Sequence, residues 1–307
     1  FNRILLTMKY CRCSIYDEDV IKKNITFPCY TQLKCDGSYR EAVVSKGTVK
    51  FYSRAGKEYS NPILEKELLE LGDGIYMGEW TIGPADNPKE NRFKGNGELN
   101  SKNPPYEDIY FTVWDYIDNP KLVQARYKAR WEALKVLVQC EEPKHIKLVP
   151  TYYCKSLAAC KQVAHMFMAK GLEGAIIKDF NYMFFNGTSR LQYKVKLCLD
   201  ADMRITGFTE GTGKRKQYIG AIEFTNDEKT IIGQCSGFTD RQMIEFSKEP
   251  SKYIGKVITV EFNDIIKSPD KPTFTLNHPR FVSIRDDKTD TDTLERVFAI
   301  KHMTLYK

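Results

Sequence analysis

The sequence predicts an α+β protein in which antiparallel sheets with flanking helices are followed by a small β-barrel. Three observations carry this reading. Short runs rich in Val, Ile, Tyr, Phe and Thr dominate the first two-thirds of the chain. Between them lie three segments with helical spacing and recognisable ends. Around Cys198 the pattern changes to short strands separated by turns. A chain of 307 residues exceeds one average domain, so the change of texture sets the expected boundary: a first domain over 1–198 and a second over 199–307.

After a polar N-terminal stretch, strands are expected at "CYTQLK", "REAVVS", "TVKFYSR", "DGIYMGEWTI" and "DIYFTVWDYI". The segment "NPILEKELLELG" opens on an Asn cap and a first-turn proline and closes on a glycine, which predicts a helix with both terminal signals. Two more helices are expected at "KLVQARYKARWEALKVLVQC" and at "SLAACKQVAHMFMAKG", the latter closed by Gly171. "DNPKENRFKGNGELNSKNPPYED" reads as a long polar loop, and loops of that length in compact domains are usually functional or mobile. Beyond Cys198, "DADMRITGFTEG", "AIEFTND", "TIIGQCS", "VITVEFND" and "FVSIRDD" read as five short strands, with one brief helix near "TDRQMIEFSKE". That count suits a barrel of the oligonucleotide-binding (OB) kind. No internal repeat or low-complexity tract interrupts the chain.

Composition narrows the class. Apolar residues at 42% and charged residues at 28% are those of an ordinary globular protein. No apolar run approaches the length of a membrane span, and the N-terminus lacks a signal-peptide layout, so an intracellular protein is expected. The absence of an initiator Met suggests that the first native residues are missing. Nine cysteines include no C-x-x-C pair and are accompanied by four His, so reduced, structural thiols are expected rather than a zinc site. The net charge is +7, and the whole excess lies before Leu199. A polyanionic partner such as nucleic acid fits that distribution.

Several segments carry candidate chemistry, each beside a bland alternative. "KCDGSYR" is either a strand running into a turn, with a surface lysine, or a bend that presents Lys34 as a nucleophile. Glu79 in "MGEW" follows a glycine that allows close approach. Trp114 in "FTVWDY" reads by itself as a core residue. Glu173 in "GLEGAIIKD" stands just ahead of an apolar strand. Lys194 and Lys196 in "LQYKVK" leave one face of a strand, as on a solvated surface or against a buried anion.

The series K-C-D-G-x-x-R, S-R-A-G-K, G-E-W, W-D-Y, L-E-G-A-I-I-K, Y-K-V-K and R-D-D-K, in this order, resembles the covalent nucleotidyltransferases, and among them the small ATP-dependent DNA ligases of viruses and bacteriophages. The resemblance spans nearly the whole chain. It implies a nucleotidyltransferase domain of the ATP-grasp-like ligase type followed by an OB barrel, acting on nicked double-stranded DNA as a monomer, with no membrane association. It further implies that Lys34 attacks ATP to form a lysyl-AMP intermediate. Lys194 and Lys196 would depress the pKa of that amine and neutralise the α-phosphate. Glu79 and Glu173 would contact magnesium and the nucleotide sugar, and Trp114 would stack on adenine. Asp36 would orient the DNA 3′-hydroxyl, and Arg40 and Arg54 would hold phosphate. Arg285, Asp287 and Lys288 would manage the leaving pyrophosphate before the barrel swings about a hinge near Leu199 to Ala201.

The chain departs from the family in places. The usual K-x-D-G-x-R has one residue fewer before its arginine. Here Arg40 is either displaced around a bulge or replaced in its role by another group. "SRAGK" lacks the usual aromatic after Arg54. Lys214, Arg215 and Lys216 form either a short phosphate contact or an exposed turn. Within the superfamily an mRNA capping guanylyltransferase or an RNA ligase is the alternative, and outside it a non-catalytic OB-fold nucleic-acid binder.

Overall fold

The computed structural model describes residues 11–87, 97–101, 103–117, 125–184, 187–267 and 271–305. The chain separates into two compact units, Phe1–Val195 and Lys196–Lys307. It is α+β, as the sequence predicts.

The first unit is built on two sheets. One contains β1 (Cys11–Ile15), β2 (Cys29–Leu33), β9 (Thr151–Cys154), β10 (Gly174–Lys178) and β11 (Gly187–Lys196), in the order β1-β11-β10-β2-β9. The other contains β3 (Ser38–Ser45), β4 (Thr48–Tyr52), β5 (Glu58–Tyr59), β6 (Gly74–Ile82), β7 (Ile109–Ile117) and β8 (Ile146–Leu148), in the order β5-β4-β3-β6-β7-β8. Both are mixed rather than purely antiparallel, because β1 runs parallel to β11 and β8 parallel to β7. The β2, β6 and β7 runs are buried almost throughout, which is why they read as continuous apolar stretches rather than alternating ones.

Among the described residues these sheets are flanked by α1 (Glu18–Asn24), α2 (Pro62–Leu71), α3 (Tyr127–Glu141) and α4 (Leu157–Ala169). The α2 helix forms where its signals lie: Asn61 Oδ1 accepts from the Ile63 and Leu64 amides, Pro62 occupies the first turn, and Leu64, Leu68 and Leu71 bury one stripe. In the same way Ser156 caps α4 through the Ala159 amide. The helix expected from Lys121 begins at Tyr127, and 121–124 lie outside the described residues. The expected long loop lies partly outside them as well. Of its described part, 97–99 form a helical turn and Tyr106–Asp108 a 3₁₀ turn.

The second unit holds β12 (Leu199–Glu210), β13 (Ile219–Thr225), β14 (Ile232–Cys235), β15 (Val257–Phe262) and β18 (Arg280–Ile284), in the order β14-β13-β12-β15-β18. The hairpin β16 (Asp264–Lys267) and β17 (Phe274–Asn277), α5 (Asp240–Lys248) and α6 (Leu294–Leu305) complete it. The α5 helix starts at a capping box between Thr239 and Gln242. The expected barrel is not closed by a continuous ladder. Its two edges meet at one bridge between Ser236 and Arg280, with the Phe281 amide donating to Ser236 O at 2.8 Å. The four-residue β14 is too short to pair further, and Gly237, at φ 101°, turns the chain away directly after the bridge.

All nine cysteines are described and all are free thiols. No described helix is long and apolar enough to cross a membrane.

Candidate active site

A cavity of about 660 Å³ opens in the first unit, lined from β1, β2, β3, β6, β7, β10 and β11. Lys34 follows directly on β2, its amide donating to Gly174 O at 2.9 Å. Gln32 and Lys34, two residues apart, both line the cavity.

The Lys34 ammonium forms an ion pair with the Glu173 carboxylate. Burial alone would push this amine down, yet the charges of Glu173 and Glu79, the direct Glu173 contact and Asp36 outweigh it. The Lys34 pKa therefore lies above the ordinary lysine value. This corrects the expectation that Lys194 and Lys196 depress it: carboxylates, not cations, dominate the surroundings of this amine. The two lysines are also separated in role. Lys194 lines the cavity, whereas Lys196, the last residue of β11 at the boundary between the units, is not among the lining residues and donates from Nζ to Asn263 Oδ1 at 2.9 Å.

Glu79 is buried at the cavity wall, and burial raises its carboxyl to about 7 against the opposing pull of Lys34. One of its oxygens accepts from the Gly37 amide at 3.1 Å, and the other lies 3.9 Å from Arg54 Nη2. Gly37 has no room for a side chain, since a Cβ there would sit 2.2 Å from Trp80 O. The D-G of the motif is thus a close backbone approach that lets an amide reach Glu79, and not merely a turn.

Trp114 faces the cavity and is only half-buried, so the core reading of its sequence neighbourhood does not hold. Its ring centroid lies 6.2 Å from that of Tyr39. Arg40 is corrected more sharply. It is 1% exposed and does not line the cavity. Its guanidinium sits 3.8 Å from the Tyr59 ring centroid and 4.8 Å from that of Trp80, and donates to Ser38 Oγ, Tyr39 O and Asn100 Oδ1. The ladder pairs Ser38 with Trp80, Tyr39 with Glu79 and Arg40 with Gly78 without interruption. No bulge in β3 absorbs the extra residue, so strand alternation sends Arg40 to the opposite face and brings Tyr39 into the cavity.

Lys178, which closes the L-E-G-A-I-I-K segment, is a cavity residue to which the sequence reading gives no role. It is buried, and burial lowers its pKa to about 8. Its Nζ lies 4.5 Å from the Tyr127 ring centroid and 5.8 Å from that of Trp114. The available signal was spacing: Lys178 stands two residues after Ile176, another lining residue of the same strand. At the cavity wall the lining residue Asp115 forms a two-point ion pair with Arg130, at 2.7 Å through Nε and 2.9 Å through Nη2.

In the second unit, Asp202 Oδ2 accepts from Arg285 Nη1 at 2.9 Å and from Lys288 Nζ, and Arg285 also grips Asp287 at 2.8 and 2.7 Å. Arg285, Asp287 and Lys288 therefore form one cluster anchored on a buried carboxylate, which Thr259 supports from its other oxygen. Arg215, of the basic turn, pairs with Asp240 at 2.9 Å.

The family described as "ATP dependent DNA ligase domain" matches residues 8–196. Among characterised proteins the chain is 25% identical to the DNA ligase of Enterobacteria phage T4, over 94% of this chain and 71% of that protein. It is 28% identical to the DNA ligase of Thermococcus fumicolans, over 87% of this chain and 54% of that protein, about half the archaeal protein's length. The solved structure of the Pmar-Lig_PreS3 protein superposes with a TM-score of 0.70 at 22% identity, covering 91% of this chain and 68% of that one. The ATP-dependent DNA ligase of bacteriophage T7, in complex with ATP, superposes with a TM-score of 0.54 at 17% identity, covering 92% and 100%. With a family match over more than half of its length and the same fold in these neighbours, the chain belongs to the ATP-dependent DNA ligases.

Proposed function

We propose that the protein seals nicks in duplex DNA through adenylate carried on Lys34, and that magnesium assists. The observation that carries this reading is the Lys34 amine in a nucleotide-sized cavity, held by Glu173 with Glu79 close by. The amine nitrogen forms a bond to the α-phosphorus of ATP as the bond to the pyrophosphate oxygen breaks. AMP then passes to the 5′-phosphate of the nick, and the adjoining 3′-hydroxyl displaces it. Asp36, two residues from the nucleophile, orients that hydroxyl. Trp114 stacks on the base, while Lys194 and Lys178 face the developing phosphate charge. Arg285 and Lys288 are the cations assigned to pyrophosphate.

Glu79 and Glu173 fit a magnesium ion. Both offer hard oxygen donors near Lys34, and magnesium takes only one or two carboxylates beside substrate phosphates and water. Among the described residues there is no cluster of three or more His, Cys, Asp or Glu able to hold a metal by itself. Magnesium would offset charge on the phosphates.

The test is direct. Protein incubated with ATP and magnesium should gain the mass of one AMP at Lys34, GTP should leave it unlabelled, and an all-DNA nicked duplex should be sealed. Labelling by GTP in preference to ATP would turn the reading toward a capping guanylyltransferase. DNA binding with neither labelling nor sealing would turn it toward a non-catalytic binder.

The protonation states give a second expectation. Lys34 must be neutral to attack, and its pKa lies above the ordinary lysine value of about 10.4. The neutral fraction of the resting site thus rises about tenfold per pH unit across pH 6 to 9. Glu79 ionises near 7, and because its negative charge holds the proton on Lys34 it flattens the rise around that pH. Single-turnover lysyl-AMP formation at saturating ATP should climb throughout that window, and a flat profile would assign the limiting step elsewhere.

A further inference from the structure

Arg54 lines the cavity with a side chain 55% exposed, whereas Lys34 and Lys178 lie deeper. A long cation at a rim loses much rotamer freedom when it is fixed, so something must aim it. Tyr39 and Glu79 both hold it. The Arg54 guanidinium carbon lies 5.2 Å from the Tyr39 ring centroid, and Nη2 lies 3.9 Å from Glu79 Oε1. Tyr39 and Glu79 are directly opposite each other in the β3–β6 ladder, so one face presents both to the same guanidinium.

We propose that Tyr39 is a positioning residue for Arg54, presenting its guanidinium at the cavity rim to the phosphate at a DNA end. This rests on the nick-sealing reading above. Tyr39 enters the cavity only because the K-C-D-G-S-Y-R segment continues in register and sends Arg40 to the opposite face. An aromatic ring that steers one cation thus stands at the cavity position where strand alternation would otherwise admit a second cation. An exposed rim cation suits an anion arriving on a macromolecule better than the α-phosphate of a nucleotide already seated in the cavity.

The experiment compares Tyr39→Phe, Tyr39→Leu, Arg54→Gln and the Leu/Gln double variant. Single-turnover sealing is read on a nicked duplex whose 5′-phosphate already carries AMP, at sub-saturating DNA, and lysyl-AMP formation from ATP is read separately. Tyr39→Leu should slow sealing roughly three- to tenfold, the scale of one lost cation–π contact, and more than it slows lysyl-AMP formation. Tyr39→Phe should stay within about twofold of the parent, and Tyr39→Leu should add nothing in the Arg54→Gln background. Side-chain NMR of Arg54 in the unliganded protein should show δ-protons shifted upfield by the ring, retained in Tyr39→Phe and lost in Tyr39→Leu. Equal losses in both backgrounds, a Phe variant as slow as the Leu variant, or Arg54 signals indifferent to Tyr39→Leu would each overturn the proposal. Failure of the parent protein to seal the adenylated nick would instead overturn the nick-sealing reading, while the NMR comparison would still judge the Tyr39–Arg54 pair.

Discussion

Lys34→Ala is expected to lower lysyl-AMP formation by a factor of about 10⁴ or more, the scale of losing an essential nucleophile. Lys34→Arg should do no better, since a guanidinium stays protonated at any working pH. Both variants should still seal a nick whose 5′-phosphate already carries AMP, because that step asks of the site only that it orient the 3′-hydroxyl and accept departing AMP. The split separates a carrier from a residue that merely supports the fold, which would lose both activities together. Intact-protein mass spectrometry and a gel assay on the two substrates read it. Persistence of the AMP adduct in Lys34→Ala would place the nucleophile elsewhere.

Arg130→Met should lower the stability of the first unit by roughly 3–5 kcal/mol, because it strands the Asp115 carboxylate without its partner. Both side chains are 3% exposed, and Arg130 Nη1 also donates to Ala125 O. For a unit of this size such a loss corresponds to a melting temperature lower by roughly 10 °C. Replacing the pair together, Asp115→Leu with Arg130→Met, should recover part of the loss, since two buried charges are then removed at once. Tryptophan fluorescence is the suitable probe: all three tryptophans, Trp80, Trp114 and Trp131, lie in the first unit. A single variant melting within about 2 °C of the parent would contradict the assignment. Asp115 is itself a cavity-lining residue, so the same change should also disturb the cavity wall.

Much of the site was legible in the chain because chemistry restricts residue types. A lysine before D-G, two separated acids and an aromatic before an aspartate are unusual together in one order, and the helix ends carry their own signals in Asn61, Pro62 and Ser156. What escaped depends on register and depth. Whether Arg40 or Tyr39 enters the cavity is a question of which strand face each occupies, and one residue of slip inverts the answer. Lys178 looks like any lysine closing an apolar run, because its desolvation comes from Tyr127 and Trp114, distant in sequence. The protonation of Lys34 eludes the sequence for a related reason: strand spacing points to the downstream cations Lys194 and Lys196, while the direct contact is the carboxylate of Glu173, just ahead of the neighbouring strand β10. The hairpin β16–β17 is built of strands too short to stand out against those around them, and the helix α6, although twelve residues long and rich in apolar side chains, is absent from the sequence-based expectations.

The contact between Lys34 and Glu173 also bears on durability. An ammonium has no lone pair to offer, so aldehydes, cyanate and activated acyl groups find nothing to react with at this position while the acid holds the proton there. The side chain proposed to carry adenylate is thus spared such chemical wear while it rests against Glu173.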